Sequence, residues 1–371
     1  MKIGILGAGA IGSFFGGLLQ HRAPHCDVVL VGRGPHAETV REQGALEILF
    51  GKKKLRVPVR METEPSALAD SDLLLICIKS QATQAAMDSV TPFIGHSILV
   101  TIQNGINDAL FTQYVMPERV VAAMTAINVA IPSPGVVSLQ LDGPTLLGPI
   151  IPLGEKAAIV ACDVLKQTGL RVERTENIHA VRYNKLAMNA LGYASCLSGS
   201  NFISKGIVYR PWRRHVAWPL LREVEEVLAK AEIPVHPIPS RPGIDGLRRV
   251  LHLLDWPMVG FFVGQIARLK YNRRPIIFSL YQDLLLGKKT EVDFINGQIV
   301  RLGQKVGMDT PFNELVVRLV HELEKRGAGK FFTRKEVIRK FAELQSGAAR
   351  CDDMNLGEET QADGEPSAGE D

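Results

Sequence analysis

Five polar side chains in the second half of the chain have the types and spacing of a proton-transfer site. In Tyr183-Asn184-Lys185-Leu186-Ala187-Met188-Asn189, Lys185 and Asn189 are four residues apart and share one helix face, flanked by apolar Leu186 and Met188. A lysine in a partly apolar surrounding can have its pKa drawn toward neutrality and hand a proton to a developing alkoxide. Ser279 and Asp283 repeat that spacing, and Glu291 opens the run Glu291-Val292-Asp293-Phe294. By spacing alone, the lysine also fits an exposed position on an amphipathic helix. Glu291 equally fits a helix N-terminus, where the backbone dipole favours an acid.

The first half of the chain supplies a reaction for such a site to serve. From Ile3 to Leu19 the only strongly polar side chain is Ser13, yet Gly4, Gly7, Gly9, Gly12, Gly16 and Gly17 punctuate the stretch. That composition suits neither a membrane span nor a secretion signal. Gly7-Ala8-Gly9-Ala10-Ile11-Gly12 is a GxGxxG loop placed directly after a strand and directly before a helix. Gly7 allows the tight turn, Gly9 lets the backbone approach a pyrophosphate, and Gly12 allows close packing of helix on strand. The free N–H groups of the helix start, with Ala8, Ala10 and Ile11 around them, would hold the anion.

The apolar run Val28–Val31 ends in Gly32 and Arg33. A site for NADH usually carries an acid near this point to bind the ribose 2′-OH; a missing acid and a gained cation favour the 2′-phosphate of NADPH. Arg33 also reads as an ordinary solvated residue at a strand end. Two further residues follow buried runs in the same way, Lys79 after Leu73–Ile78 and Asn104, in Gln103-Asn104-Gly105, after Ser97–Ile102. Ligands of open α/β sheets lie at such strand ends, although Asn-Gly is a common turn and surface lysines are ordinary.

The elements needed to position these residues are legible as a change of texture along the chain. Up to residue 176, short β-branched runs alternate with helical patterns, the sign of a parallel sheet built from βαβ units. Strands are predicted at Ile3–Leu6, Val28–Val31, Leu73–Ile78, Ser97–Ile102, Val120–Thr125, Gly135–Leu141, Thr145–Leu147 and Arg171–Arg174, with a hairpin over Ala45–Val59. Helices are predicted at Ile11–Gln20 and Glu155–Thr168. Beyond 176 the pattern is helical, over 178–198, 214–231, 244–269, 276–286, 291–307, 311–326 and 334–344, interrupted by proline-rich 234–242 and 273–275. The fold class is therefore α/β, a doubly wound Rossmann-type sheet in 1–176 followed by an all-α domain in 177–345. Residues 346–371 are expected to be an acidic, disordered tail.

Eight acids and no Lys or Arg follow Cys351, so the chain's formal +4 becomes +12 over residues 1–350. A basic body suits anionic ligands such as phosphates and carboxylates. Nucleic acid is not expected, because no such motif is present and aromatic residues do not interleave with the basic clusters. Five cysteines without a CxxC pair point to a reducing cytoplasm, and the histidines lack metal-ligand spacing, so no metal is expected.

Six segments occur together and in order: Gly7–Gly12, Ile78-Lys79-Ser80-Gln81, Gln103-Asn104-Gly105, Asn184–Asn189, Ser279-Leu280-Tyr281-Gln282-Asp283 and Lys288–Gly297. In this combination the chain resembles the ketopantoate reductase (2-dehydropantoate 2-reductase) family over about residues 1–326, the last segment being the most distinctive. The resemblance implies NADPH-dependent reduction of 2-dehydropantoate to (R)-pantoate in pantothenate biosynthesis, by a Rossmann domain and a helical domain flanking a cleft. It further implies that Lys185 is the general acid and that Asn189 and Ser279 hold the substrate. Glu291 would contact the cofactor and help position the lysine. Asn104 and Lys79 match cleft residues of the Rossmann side, and Asp283 matches the acid one turn after the serine. Tyr193 departs from the family pattern, which has a second Asn at that position, and the stretch between Lys185 and Ser279 is longer than the family's. Both changes bear on which keto acid is taken.

Two other functions remain in view: a reductase of a different 2-keto acid, and a catalytically silent NADPH-binding sensor. A 3-hydroxyacid dehydrogenase would not carry Thr290–Gly297. The apolar insert at 251–263 would cover the cleft or form the surface of a homodimer. Replacing Arg33 with Ala is expected to narrow the preference for NADPH over NADH, measured as the ratio of kcat/KM for the two; an unchanged ratio would assign the phosphate to another residue.

Overall fold

The computed structural model describes residues 1–235, 243–273 and 278–359. The chain folds as two compact units, one made of Met1–Met188 with Glu232–Asp245, the other of Asn189–Ala231 with the residues from Gly246 onward. The division between these units falls between Met188 and Asn189, inside a helix. Lys185 thus belongs with the first unit and Asn189 with the second.

The first unit begins β1 (Lys2–Leu6), α1 (Ala10–Arg22), β2 (Asp27–Val31), α2 (Pro35–Gln43), β3 (Ala45–Phe50), β4 (Lys53–Pro58) and β5 (Arg60–Glu62). It continues through β6 (Leu73–Ile76), α3 (Thr83–Val90), β7 (Ile98–Thr101), α4 (Asp108–Phe111), β8 (Val120–Thr125), β9 (Asn128–Ser133) and β10 (Val136–Leu141). Next come β11 (Thr145–Pro149), α5 (Glu155–Lys166), β12 (Val172–Arg174) and α6 (Ile178–Cys196), the helix in which the units divide. Eight strands form the main sheet in the order β12-β11-β8-β7-β6-β1-β2-β5. All neighbours are parallel except β11 against β8. The reason lies in the strands themselves: Leu73, Leu74, Leu75 and Ile76 are all 0% exposed, the two-sided burial that parallel strands require. Each such side chain contributes about 1.5–3 kcal/mol.

The predicted hairpin Ala45–Val59 is present as antiparallel β3 and β4, but it does not join the main sheet. It forms a second sheet in the order β4-β3-β10-β9, with β3 parallel to β10. Helix α1 packs against strands of both sheets, and two successive glycines make that possible. A Cβ on Gly16 would stand 3.1 Å from Ile5 and Leu30 of the main sheet; one on Gly17 would stand 2.9 Å from Leu46 and Ile48 of the small one. The glycine-rich opening therefore serves packing on two sides as well as the loop.

The second unit contains the end of α6, then α7 (Arg210–Trp212), α8 (Trp218–Lys230), all but the first residues of α9 (Gly243–Asp255), α10 (Pro257–Arg273), α11 (Ser279–Leu285), α12 (Val292–Lys305), α13 (Pro311–Arg326) and α14 (Arg334–Glu359). The single helix expected over 244–269 is two, bent by 117° at Trp256. Pro257 causes the break, since it has no N–H to donate and disfavours helical backbone at the residue before it. Arg213 secures the broken end of α9, its Nε bonding Asp255 Oδ1 at 2.7 Å and its Nη2 bonding the Leu254 carbonyl at 2.9 Å. On α10 the insert leaves Met258, Phe261, Phe262, Ile266 and Leu269 exposed. The last helix runs past its expected end at Leu344 to Glu359. The rest of the acidic tail, 360–371, and most of the proline-rich 234–242 and 273–275 lie outside the described residues. Among the described residues no single helix is long and apolar enough to cross a membrane.

A Cβ on Gly12 would lie 2.2 Å from the Gly7 carbonyl oxygen, a backbone atom that cannot yield cheaply. Gly12→Ala is expected to lower stability by about 1–3 kcal/mol, the usual cost of overpacking. Chemical denaturation checks this, and an unchanged midpoint would show that the loop has room to shift.

Candidate active site

The carboxyl ends of β1, β2, β6, β7 and β8 are neighbours along one edge of the main sheet, and the candidate residues of the first unit lie on the loops that leave it. At β1, Gly7 has φ +100°, and a Cβ there would meet Ile78 at 2.6 Å, so the turn requires glycine. The Gly7 and Ala8 N–H groups donate to the Val31 carbonyl at 3.0 and 2.9 Å. They brace the loop against β2 and leave anion contact to the first turn of α1, at Ala10, Ile11 and Gly12. A Cβ on Gly9 would meet nothing within 4 Å, which is the open approach a pyrophosphate needs. A dinucleotide's phosphates fit this cradle.

At β2, Gly32 has a meaning the sequence did not reveal. A Cβ there would stand 2.8 Å from the Ala8 Cβ and 3.2 Å from that of Ala37, so the position has no room for an acidic side chain. Arg33 next to it is exposed, and so is Lys79 after β6.

Asn104, after β7, and Lys185, on α6, meet directly. The Lys185 ammonium donates to Asn104 Oδ1 at 3.1 Å and to the Thr125 backbone carbonyl, at the end of β8, at 2.9 Å. Four residues outside the predicted set hold this arrangement. Gln103, 7% exposed, donates to the Ile78 carbonyl at 3.0 Å and to Thr83 Oγ1 at 2.8 Å, tying the Lys79 and Asn104 loops together. One turn before Lys185, Arg182 donates to both oxygens of Asp108 at 2.6 and 2.8 Å and to the Gly105 carbonyl at 3.1 Å. A buried guanidinium thus docks α6 onto the loop that carries Asn104. Thr125 acts through a backbone oxygen, which no residue type announces. Asp108 and Arg182 are far apart in sequence, so only pairing in space could find them.

The second unit brings together Ser279, Asp283, Glu291 and Tyr193. Ser279 begins α11, and its Oγ lies 3.3 Å from the Tyr193 hydroxyl. Tyr193 is 1% exposed; burial first, and then the charges of Glu291 and Asp283, push its pKa up, so it stays a neutral phenol. Its ring meets Phe278 edge-on, which in turn meets Phe202 edge-on. A Cβ on Gly192 would lie 2.0 Å from the Phe278 ring, so the glycine makes room for that aromatic. Asn189 is half-buried on α6.

Glu291, 5% exposed, stands at the start of α12 in a turn that is held from α13. The Thr290 N–H donates to Glu324 Oε1 at 2.8 Å, and His321 bridges Glu324 and Asp293 at 3.1 and 2.9 Å. Burial pulls the His321 pKa down, but the hydrogen bonds to the two carboxylates outweigh it and the pKa is raised. Asn296 of the same segment has a structural duty, donating to the Ala190 carbonyl at 3.2 Å and to Asn313 Oδ1 at 2.9 Å. Asn313 and Phe312 donate to the buried Glu223, whose pKa burial raises to about 7 despite those bonds.

A largely parallel sheet with a glycine loop at its switch point, and a lysine held at the same sheet edge, fits a nucleotide-binding oxidoreductase. Two family models match in succession, ketopantoate reductase PanE/ApbA over residues 3–151 and its C-terminal domain over residues 177–324. The chain belongs to the ketopantoate reductase family, whose members reduce 2-keto acids with a nicotinamide cofactor. It is 31% identical to a 2-dehydropantoate 2-reductase of Pyrococcus abyssi over 86% of this chain and 97% of that one. It is 26% identical to the enzyme of that name from Lactococcus lactis, over 88% and 98%. The same fold is found in a ternary structure of D-mandelate dehydrogenase with NADH and anilino(oxo)acetate, at 24% identity and TM-score 0.73 over 88% of this chain and 99% of that one. It is found again in a 2-dehydropantoate 2-reductase from Geobacter metallireducens, at 19% identity and TM-score 0.69 over 87% and 99%.

Arg182→Lys keeps a cation but loses the planar fork that spans Asp108 and Gly105. Turnover is expected to fall roughly 10–100-fold, the scale on which small misplacements of reacting groups act. Steady-state kinetics on the variant checks this; wild-type turnover would mean that α6 is positioned without the pair.

Proposed function

We propose that the protein reduces 2-dehydropantoate to (R)-pantoate with NADPH, as a cytoplasmic step of pantothenate biosynthesis. The observation that carries this reading is the Lys185 ammonium held between Asn104 Oδ1 at 3.1 Å and the Thr125 carbonyl at 2.9 Å, at the sheet edge that also bears the Gly7–Gly12 loop. The curated relatives covering nearly the whole chain support the choice of substrate. Arg33 beside a Gly32 with no space for an acid supports NADPH over NADH. Four described cysteines are free thiols, in keeping with a reducing compartment.

When bound, a reduced nicotinamide would supply hydride to the C2 carbonyl carbon of the keto acid. The first turn of α1 holds the pyrophosphate, Arg33 the 2′-phosphate, and Lys79 and Glu291 contact the cofactor further along. Lys185 is the general acid: as negative charge grows on the carbonyl oxygen, Nζ gives up a proton to it and recovers one from water. Two fixed acceptors orient that ammonium before the substrate arrives, so little reorganisation is left for the reaction itself. Asn104, Asn189, Ser279 and Asp283 hold the substrate.

One observation favours a second reading, reduction of a different 2-keto acid. The Tyr193 hydroxyl lies within hydrogen-bond distance of Ser279 Oγ, with Phe278 against its ring, which makes this part of the second unit aromatic. A panel of 2-keto acids assayed with both coenzymes decides between the two; the highest kcat/KM is expected for 2-dehydropantoate with NADPH. A clear preference for another keto acid would move the assignment to the second reading. Lys185→Ala is expected to lower turnover by about 10²–10⁴-fold with NADPH affinity nearly unchanged. NADPH bound tightly by the wild type with no keto acid reduced would instead make the protein a sensor.

A further inference from the structure

The turn that carries Arg33 continues through Gly34 and Pro35 into His36, on the first turn of α2. The His36 ring joins three segments that are far apart in sequence. Its Nδ1 accepts the Gly135 N–H at 3.1 Å, from the turn between β9 and β10. A nitrogen that accepts carries no proton, so the ring hydrogen is on Nε2, 3.1 Å from Ser13 Oγ. Ser13 is fully buried in α1, and its hydroxyl lies 3.1 Å from the Ala8 carbonyl. Only one direction satisfies every group: Gly135 N–H to His36, His36 Nε2–H to Ser13, and Ser13 O–H to the carbonyl of Ala8. Ala8 is the second residue of the glycine loop, and its own N–H is bonded to Val31 at the end of β2.

We infer that His36, as the neutral Nε2–H tautomer, is a positioning residue that fixes the glycine loop and the Arg33 turn relative to each other, so that protonating it weakens coenzyme binding. The inference rests on the reading of that loop as the coenzyme site. Protonation would put a hydrogen on Nδ1, facing the Gly135 N–H, and two donors would then oppose each other at 3.1 Å. The partners that meet the ring, Ser13 from α1 and Gly135 from the small sheet's turn, are a hydroxyl and a backbone amide. Neither carries a charge that would steady an imidazolium. The charged residues flanking His36 along the chain, Arg33 and Glu38, are exposed. Burial lowers the His36 pKa from its ordinary value, which agrees with a neutral ring at pH 7.

The test is NADPH affinity of the full-length protein by fluorescence titration between pH 5 and 8, for the wild type, His36→Gln and His36→Leu. The 2′-phosphate of NADPH titrates in the same range, with a pKa of about 6. The readout is therefore the difference between proteins, not the slope of any one. Glutamine offers a donor and an acceptor and does not protonate. His36→Gln is expected to bind like the wild type at pH 7.5 and to bind about tenfold tighter than it at pH 5, the scale of one hydrogen bond lost. His36→Leu is expected to bind about tenfold more weakly at every pH while keeping kcat at saturating NADPH. Parallel pH profiles for wild type and His36→Gln, or wild-type affinity in His36→Leu, would overturn the positioning role alone. Failure of the wild type to bind either NADPH or NADH at pH 7.5 would overturn this role together with the coenzyme reading.

Discussion

The constraint on which the site depends is that a lysine side chain, long and flexible, must keep its ammonium in one place. Two oxygens do this, one from Asn104 and one from the backbone of Thr125. Neither would suffice if the helix bearing the lysine could slide. The Arg182–Asp108 pair prevents that, binding one turn ahead of Lys185 to the loop that presents Asn104. A guanidinium this buried is costly to desolvate, and its stabilising value comes from having both carboxylate oxygens and the Gly105 carbonyl to bond. The lysine is consequently a fixture of the nucleotide-binding unit. Its geometry is set by the sheet edge, although the composition of the chain around it is that of the helical half.

The same economy governs the start of the chain. Helix α1 must lie close to β1 and β2 to bring its N-terminus to the loop, and it must also accept the small sheet on another side. Gly12, Gly16 and Gly17 each remove a side chain from one of those close approaches. The glycines that follow the loop answer to packing; within the loop, only Gly9 leaves open space where a side chain would stand.

Much of the main sheet was legible because buried parallel strands are unbroken apolar runs, and Leu73–Ile76 and Val120–Thr125 could be little else. The small sheet was not legible, because β3 pairs with β10 across a long stretch of chain and local pattern carries no information about such partners. The break at Pro257 had a signal, but apolar periodicity continues on both sides of it and masked the proline. Candidate side chains for the site could be proposed from their types and motif order. What holds them could not: Thr125 contributes a backbone oxygen, Arg182 looks like any polar residue of a helix, and Asn296 reads as part of a functional segment while it braces α6, α12 and α13. Residue type announces chemistry, whereas support depends on neighbours that only the fold supplies.

The crowding at Gly32 limits what this corner of the scaffold can carry. Grafting a carboxylate there, the obvious move when borrowing from an NADH enzyme, would push Ala8 and Ala37 apart and open the join between the glycine loop and α2. Close packing keeps that position without a side chain, so an engineer altering this corner would have to start at the exposed Arg33 and leave its neighbour alone.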